Sequence, residues 1–473
     1  MTLAAEPRRD TLNVGRHRPA ATFHARFPRI GGVVAGVMAF AACANGQDAL
    51  LSALSIDRAI APPQIRMGLA APDQSHFGPF QLSSSLNAGA TFNDNINGSQ
   101  TAPQADVISH AGANLALAWG ATDQSLLQFG AGIGYVHYFK NSENGGLEVT
   151  PNSALSYRVS FTDGNLALFD QVSYSQQVVQ EPALVNVATL PRLENTVGTR
   201  VTWEPGRWEL QAGYSHDDYL STSSSFQYLN RSSEYLFARG GWRFAEATQA
   251  GIEASGGLTR YEQSLQSDDK NLSLGLYGEW QVTKAIRATV RGGSTEYFFD
   301  VPKSGTPQST NGLSFGTPGQ IYYLYYGPAP LAAVRATPSS TLSSYYVGLD
   351  VSHQLNDFFT HSISLHRDVS LGVDPGSDYV DQLATTYSFA WSLTKWITLG
   401  GQAEYLRGNQ PLGFFASGQE HFSFYGSGPT LGWAITRKLA GSINYSRWQR
   451  MSDLPGRNYT QNILSLNLTY TFR

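Results

Sequence analysis

Asn462-Ile463-Leu464-Ser465-Leu466-Asn467-Leu468-Thr469-Tyr470-Thr471-Phe472-Arg473 ends the chain and decides how the rest is read. Leu464, Leu466, Leu468, Tyr470 and Phe472 alternate with Ser465, Asn467, Thr469 and Thr471. A strict period of two puts one apolar and one polar face on an extended strand. In a soluble protein a bare amphipathic edge invites aggregation. In a closed barrel the last strand pairs with the first, and no edge remains.

Composition fits a barrel. The 473 residues include 47 Gly, 24 Tyr, 24 Phe and 9 Trp, and only 14% are charged, below the roughly 25% of soluble domains. A lipid-facing surface excludes charge. Mean hydropathy is only -0.24, because alternate residues of a barrel strand face away from lipid. Beyond the N-terminal region no stretch approaches the ~18 apolar residues of a spanning helix. A net charge of -4 without a dense basic patch argues against nucleic acid as a partner.

Residues 1–46 read as a long signal peptide. Arg16, Arg18, Arg26 and Arg29 supply the basic region, and Ile30 to Ala42 the apolar one. Cleavage fits Ala42-Cys43-Ala44 or Ala44-Asn45-Gly46, and the second is preferred. A lipid anchor at Cys43 is the rival, weakened by Phe40 where an aliphatic residue is usual. Cys43 is the only cysteine, so disulfides, thiol catalysis and zinc-thiolate sites are not expected after it. Residues 47–77 read as a periplasmic leader or a small plug, with Pro62-Pro63 stopping a short helix.

From Phe80 onward, alternating segments are joined by connections that are short and long in turn. The short ones are 121–124, 162–165, 204–207, 245–248, Thr283-Lys284, Asn356-Asp357, Thr394-Lys395 and 436–438. The long ones are 93–106, 140–147, 177–191, 220–231, 263–270, 299–340, 372–378, 408–419 and 449–458. Short turns on one side of a membrane and long loops on the other mark an all-β, transmembrane, up-and-down antiparallel barrel. Counting segments gives about 18 strands, within a range of about 16 to 20, over residues 78–473. Trp119, Trp203, Trp208, Trp242, Phe244, Trp280 and Trp396 lie by short turns and read as a periplasmic aromatic girdle. Tyr135, Tyr138, Phe139, Tyr214, Tyr219, Tyr297 and Phe298 read as the outer one.

Two motifs carry a resemblance. The terminal strand, with Phe472 next to last, resembles the C-terminal signal that the barrel-insertion machinery reads in bacterial outer-membrane proteins. Gly78-Pro79-Phe80-Gln81-Leu82, then an alternating strand, then Phe92-Asn93-Asp94-Asn95-Ile96, resembles the opening of an outer-membrane β-barrel porin family of Gram-negative bacteria. The resemblance implies a barrel in the cell outer membrane, in contact with its lipid. Some family members are linked with exopolysaccharide or protein-sorting gene clusters, which implies an accessory role in polysaccharide export as a second reading. It implies no catalytic residues.

No catalytic or metal-ligand spacing stands out: there is no G-x-S-x-G elbow and no H-E-x-x-H. No enzyme activity, cofactor or metal is expected. His353, His361 and His366 read as satisfied interfacial residues, and the acidic pairs Asp217-Asp218 and Asp268-Asp269, with Glu143, at most as weak cation sites. Charges in the polar phase are more informative. Arg158, Arg200, Arg239, Arg243, Arg287 and Arg291, with Glu209, Glu253, Glu279, Asp350 and Glu404, are expected to line a pore. Opposed basic and acidic rows orient polar solutes, while a structural pairing role fits them as well. Loop 299–340, with Tyr322, Tyr323, Tyr325 and Tyr326, is expected to form a constriction suited to sugars. The leading expectation is a passive channel for small hydrophilic solutes or saccharides, with a structural or enzymatic barrel the remote alternative. The oligomeric state is not legible.

Overall fold

The computed structural model describes residues 75–77, 79–177, 182–263, 265–300, 340–412 and 418–472, with backbone alone at 75–77 and 152 and also at 314–317 and 320–323. The signal peptide, Cys43 and the leader up to residue 74 lie outside the described residues. So does most of 299–340, including Tyr325 and Tyr326.

In chain order the strands are β1 (Ser75–Phe77), β2 (Phe80–Asn93), β3 (Asp106–Thr122), β4 (Ser125–Tyr138), β5 (Gly146–Phe161), β6 (Gly164–Gln177) and β7 (Thr189–Trp203). Next come β8 (Trp208–Ser221), β9 (Arg231–Ala245), β10 (Thr248–Tyr261), β11 (Asp269–Gln281), β12 (Ile286–Phe299), β13 (Ser314–Thr317) and β14 (Gln320–Tyr323). The last are β15 (Ser340–Gln354), β16 (Phe359–Leu371), β17 (Tyr379–Ser392), β18 (Ile397–Pro411), β19 (Gln419–Ala434), β20 (Leu439–Ser452) and β21 (Tyr459–Phe472). β2–β12 and β15–β21 each pair antiparallel with their chain neighbours and form a closed 18-stranded barrel. β21 closes it on β2, from Ser84↔Phe472 to Asn93↔Ile463. β1 is one extra strand, folded back on the start of β2. β13 and β14 form a separate hairpin in the longest connection, and it carries Tyr322 and Tyr323.

Four of the short turns share one chemistry. Thr283 Oγ1 accepts from the Ala285 and Ile286 N–H groups, and Thr394 Oγ1 from those of Trp396 and Ile397. Thr436 Oγ1 accepts from Lys438 and Leu439, and Asn356 Oδ1 from Phe358 and Phe359. A side-chain oxygen that satisfies two backbone donors fixes the reversal without further residues. The short turns gather at one end of the barrel, by topology the periplasmic end, and the long loops gather at the other.

The wall follows the period-two pattern. Leu272, Leu274 and Leu276 on β11 point outward, Leu276 at 66% exposure. Burying one such side chain in lipid is worth about 1.5–3 kcal/mol, so the exterior belt holds the barrel in a membrane. All tryptophans except Trp448 lie on outward positions near the short turns; Trp208 and Trp242 meet edge-on at 4.9 Å. The outer girdle is only half as read. Tyr135, Phe139, Tyr214 and Phe298 are exposed, but Tyr138, Tyr219 and Tyr297 are buried on the inner phase. Tyr297 donates to the Val369 carbonyl at 3.0 Å. Nearness to a strand end places a residue in height, whereas its face depends on odd or even position.

Candidate functional site

The lumen wall is built from the inward phase, and one contact proves that phase. Tyr346 on β15 donates its hydroxyl to Glu253 on β10 at 2.8 Å, although β12 and β11 lie between. Only a chord across the concave face makes that reach. Gly293 and Gly275 permit it: a Cβ there would fall 2.7 Å and 2.2 Å from Tyr346 atoms. The tyrosine lies flat where those residues have no side chains.

The charged residues concentrate on β5–β12. Arg158, Arg200, Arg243 and Arg287 sit within three residues of the short-turn ends of β5, β7, β9 and β12. Arg158 and Arg200 share one register row through Ala167. Arg243 pairs with Glu204 at 3.0 Å and Glu209 at 3.5 Å. Glu279 is shared: Arg239 donates to one oxygen and Arg287 to the other at 3.1 Å. Arg239 also lies 3.6 Å above the Tyr277 ring. This wall therefore interleaves both signs rather than presenting a row of unopposed cations. Asp350 on β15 holds His366 at 3.1 Å. Glu404 occupies the inward phase of β18, opposite Thr386 and Gly426. The same number of barrel strands separates β18 from β7 in either direction, so Glu404 and Arg200 belong to opposite walls. The remaining inner face of β15–β21 and β2–β4 is mostly hydroxyl and amide, as in the Ser362–Ser388 contact at 2.8 Å and the Asn114–Asn87 contact at 3.2 Å.

The outer mouth holds a second arrangement. Ala183 and Leu184 from the β6–β7 connection and Leu190 at the start of β7, with Tyr228 and Leu229 from the β8–β9 loop, pack against Leu406, Phe422, Phe424 and Trp448 of the far wall. Trp448 stacks on Phe424 at 5.1 Å and is 4% exposed. Beside them, toward the long-loop ends of β19 and β20, Glu420 and Arg450 form a 2.7 Å ion pair with both side chains fully buried. Arg457, from the β20–β21 loop, adds bonds to Glu420 at 3.0 Å and Asp374 at 2.6 Å. Gln410 bridges the same two carboxylates at 2.7 Å and 3.0 Å. Burial pulls the Arg457 guanidinium down, but Asp374 and Glu420 outweigh it and hold it above the usual arginine value. Arg450 donates to the Pro182 carbonyl at 2.5 Å and Arg457 to the Ala183 carbonyl at 2.9 Å. The two arginines thus grip the backbone of a loop that has crossed from the opposite side. Tyr228, pushed well above its ordinary value by burial, donates to the Val373 carbonyl at 2.8 Å.

Sequence reasoning missed this network. Trp448 was its one legible signal, the only tryptophan far from a short turn. The weaker candidates dissolve. Asp217 and Asp218 fall on opposite faces because they are consecutive in a strand, and Asp269 is buried while Asp268 belongs to a loop. No group of three or more His, Cys, Asp or Glu side chains able to hold a metal exists among the described residues. His353 and His361 meet ring to ring on the outer face, 3.0 Å apart.

No family model and no curated protein matches the chain. Among solved structures it is similar to Pseudomonas aeruginosa OpdL at 11% identity, covering 83% of this chain and 98% of that one, with a TM-score of 0.43. It is similar to Acinetobacter baumannii OccAB3 at 11% identity, covering 83% and 99%, with a TM-score of 0.42. It is also similar to Pseudomonas aeruginosa OccK2 (OpdF) at 13% identity, covering 83% and 97%, with a TM-score of 0.44. These likenesses are distant; the closed ring of 18 strands, its apolar exterior and its largely polar inner face make this chain a transmembrane β-barrel.

Proposed function

We propose that the chain is a passive channel for small hydrophilic solutes across the outer membrane, and not an enzyme. One observation carries this reading: a closed ring of 18 strands whose inward phase is largely polar below the apolar cluster at the mouth. A ring of that size leaves an aqueous bore unless it is plugged. In this reading Arg158, Arg200, Arg239, Arg243, Arg287 and Arg291, with Glu209, Glu253, Glu279, Asp350 and Glu404, line the solute path. The loops gripped by Arg450 and Arg457 narrow it. Residues 1–46 are removed on export, and 47–77 lie on the periplasmic side, which agrees with β1 pairing at the short-turn end of β2. The insertion machinery reads β21 through its outward row, Leu464 to Phe472.

Reconstitution in planar bilayers tests the reading. Stepwise conductance is expected, and its absence over long recordings at high protein load would overturn it.

A further inference from the structure

Halfway up the lumen, where the charged wall meets the hydroxyl wall, a shallow niche opens between β10 and β16. Arg291, Glu253, Asp368, His366, Tyr346 and Ser255 line it. Gly348, the register partner of Arg291, creates it: a Cβ at Gly348 would fall 2.8 Å from Arg291 Cγ and Nε. The arginine therefore lies across β15 toward His366, the next residue in the same row. Arg239, Arg243 and Arg287 are each tied to a glutamate. Arg291, by contrast, makes no hydrogen bond or ion pair among the described residues. Its five donors face a space that also holds carboxylate acceptors.

We propose that this niche is a saccharide-binding site, taking the vicinal hydroxyls of a neutral sugar as it passes. The charge balance selects the class. Among the lining residues Glu253 and Asp368 match Arg291 and Arg367 in number, so a carboxylate-bearing solute gains no net attraction. The arginine in turn opposes a simple cation. A hydroxyl donates and accepts at once, so a diol can give its protons to Asp368 and Glu253 while accepting from the guanidinium fork. Buried or half-buried charges that gain such partners recover part of what desolvation cost them. Only one edge of the ring fits so shallow a niche, and the rest stays in the bore, as transit requires.

The inference deepens the channel reading and rests on it for its purpose, but binding and conduction are measured separately. Saturation-transfer NMR on the full barrel in detergent micelles reports binding, with D-glucose, gluconate and glycine as probes. D-glucose is expected to bind, with at least fivefold weaker responses from gluconate and glycine. R291Q and D368N should each cut the glucose response at least fivefold, while R291K retains part of it and all three variants keep the β spectrum. Equal or stronger binding of glycine or gluconate overturns the proposal, as does wild-type glucose binding in R291Q. If bilayers show no conductance but glucose binding is present and lost in R291Q, the channel reading fails and the site stands.

Discussion

The same pair of residue types is used in two ways at the two ends of the lumen. Near the short turns, Arg287 reaches Glu279 from a side chain 69% exposed. At the outer mouth, Arg450 meets Glu420 with neither side chain exposed. An ion pair in water contributes about 0–1 kcal/mol, whereas removing one partner of a buried pair costs about 3–5 kcal/mol, because the other charge is left without a counterpart. In the channel reading, the wet pair tunes the electric field of the bore. The dry pair holds loops in place, by giving Arg450 and Arg457 fixed orientations toward the Pro182 and Ala183 carbonyls.

The largest break in this contrast is Glu420→Ala. It should cost about 3–5 kcal/mol at the mouth. Amide exchange in 182–190 and 453–458 should rise sharply while the strands keep their protection, and conductance should increase. Unchanged exchange there would mean that the network does not hold the loops. Next comes Trp448→Ala, which opens a cavity beside Phe424 and should cost about 3 kcal/mol. Its exchange signature should appear at Leu184 and Leu229 rather than across the wall.

The wet end should respond electrically instead. Glu279→Gln should move the reversal potential in a salt gradient toward anions, since Arg239 and Arg287 lose their shared counter-charge. Replacing Arg239, Arg243, Arg287 and Arg291 together by glutamine should move it toward cations. A reversal potential indifferent to both changes would show that these side chains do not border the ion path.

The smallest effect concerns Asp378, in the loop before β17. Burial raises its carboxyl above the ordinary range, and the bonds from Ser267 only partly oppose that. A group whose folded value is raised contributes stability fully present below the unfolded carboxylate range and lost as pH rises through the folded value. Protection of the amides in 262–268, corrected for the intrinsic pH dependence of exchange, should therefore rise as pH is lowered from neutral into the carboxylate range. Asp378→Asn should remove that step; a step that survives belongs to another group.

The barrel was legible because membrane strands obey two local rules, alternation and the long-short sequence of connections. The strand count and the inward phase of the eleven charged positions follow from those rules alone. The mouth was not legible because it depends on which loops meet. Pro182 and Arg450 are far apart in sequence, and Glu420, Gln410 and Asp374 read as ordinary polar residues near strand ends. Three girdle tyrosines were misread for a related reason: an aromatic near a strand end suits the lipid boundary or the packed mouth equally well, and only its phase separates the two. The pairing of Arg239, Arg243 and Arg287 with glutamates was also beyond reach, since register between strands is set by the closed ring.

Tyr346 lying over Gly293 and Gly275 has a bearing on how such a bore can change over generations. Across two strands the wall contributes no side chains of its own at that height, and one residue stands in for three. A single base change at the Tyr346 codon can exchange the ring for serine or cysteine and widen the passage without disturbing any strand pairing. Narrowing it again by giving either glycine a side chain stays barred even then, because a Cβ would fall 2.2 Å from the Leu274 carbonyl oxygen at Gly293 and 2.5 Å from the Gly292 carbonyl oxygen at Gly275. The route to a wider bore is thus one step long, and the two glycines offer no return route.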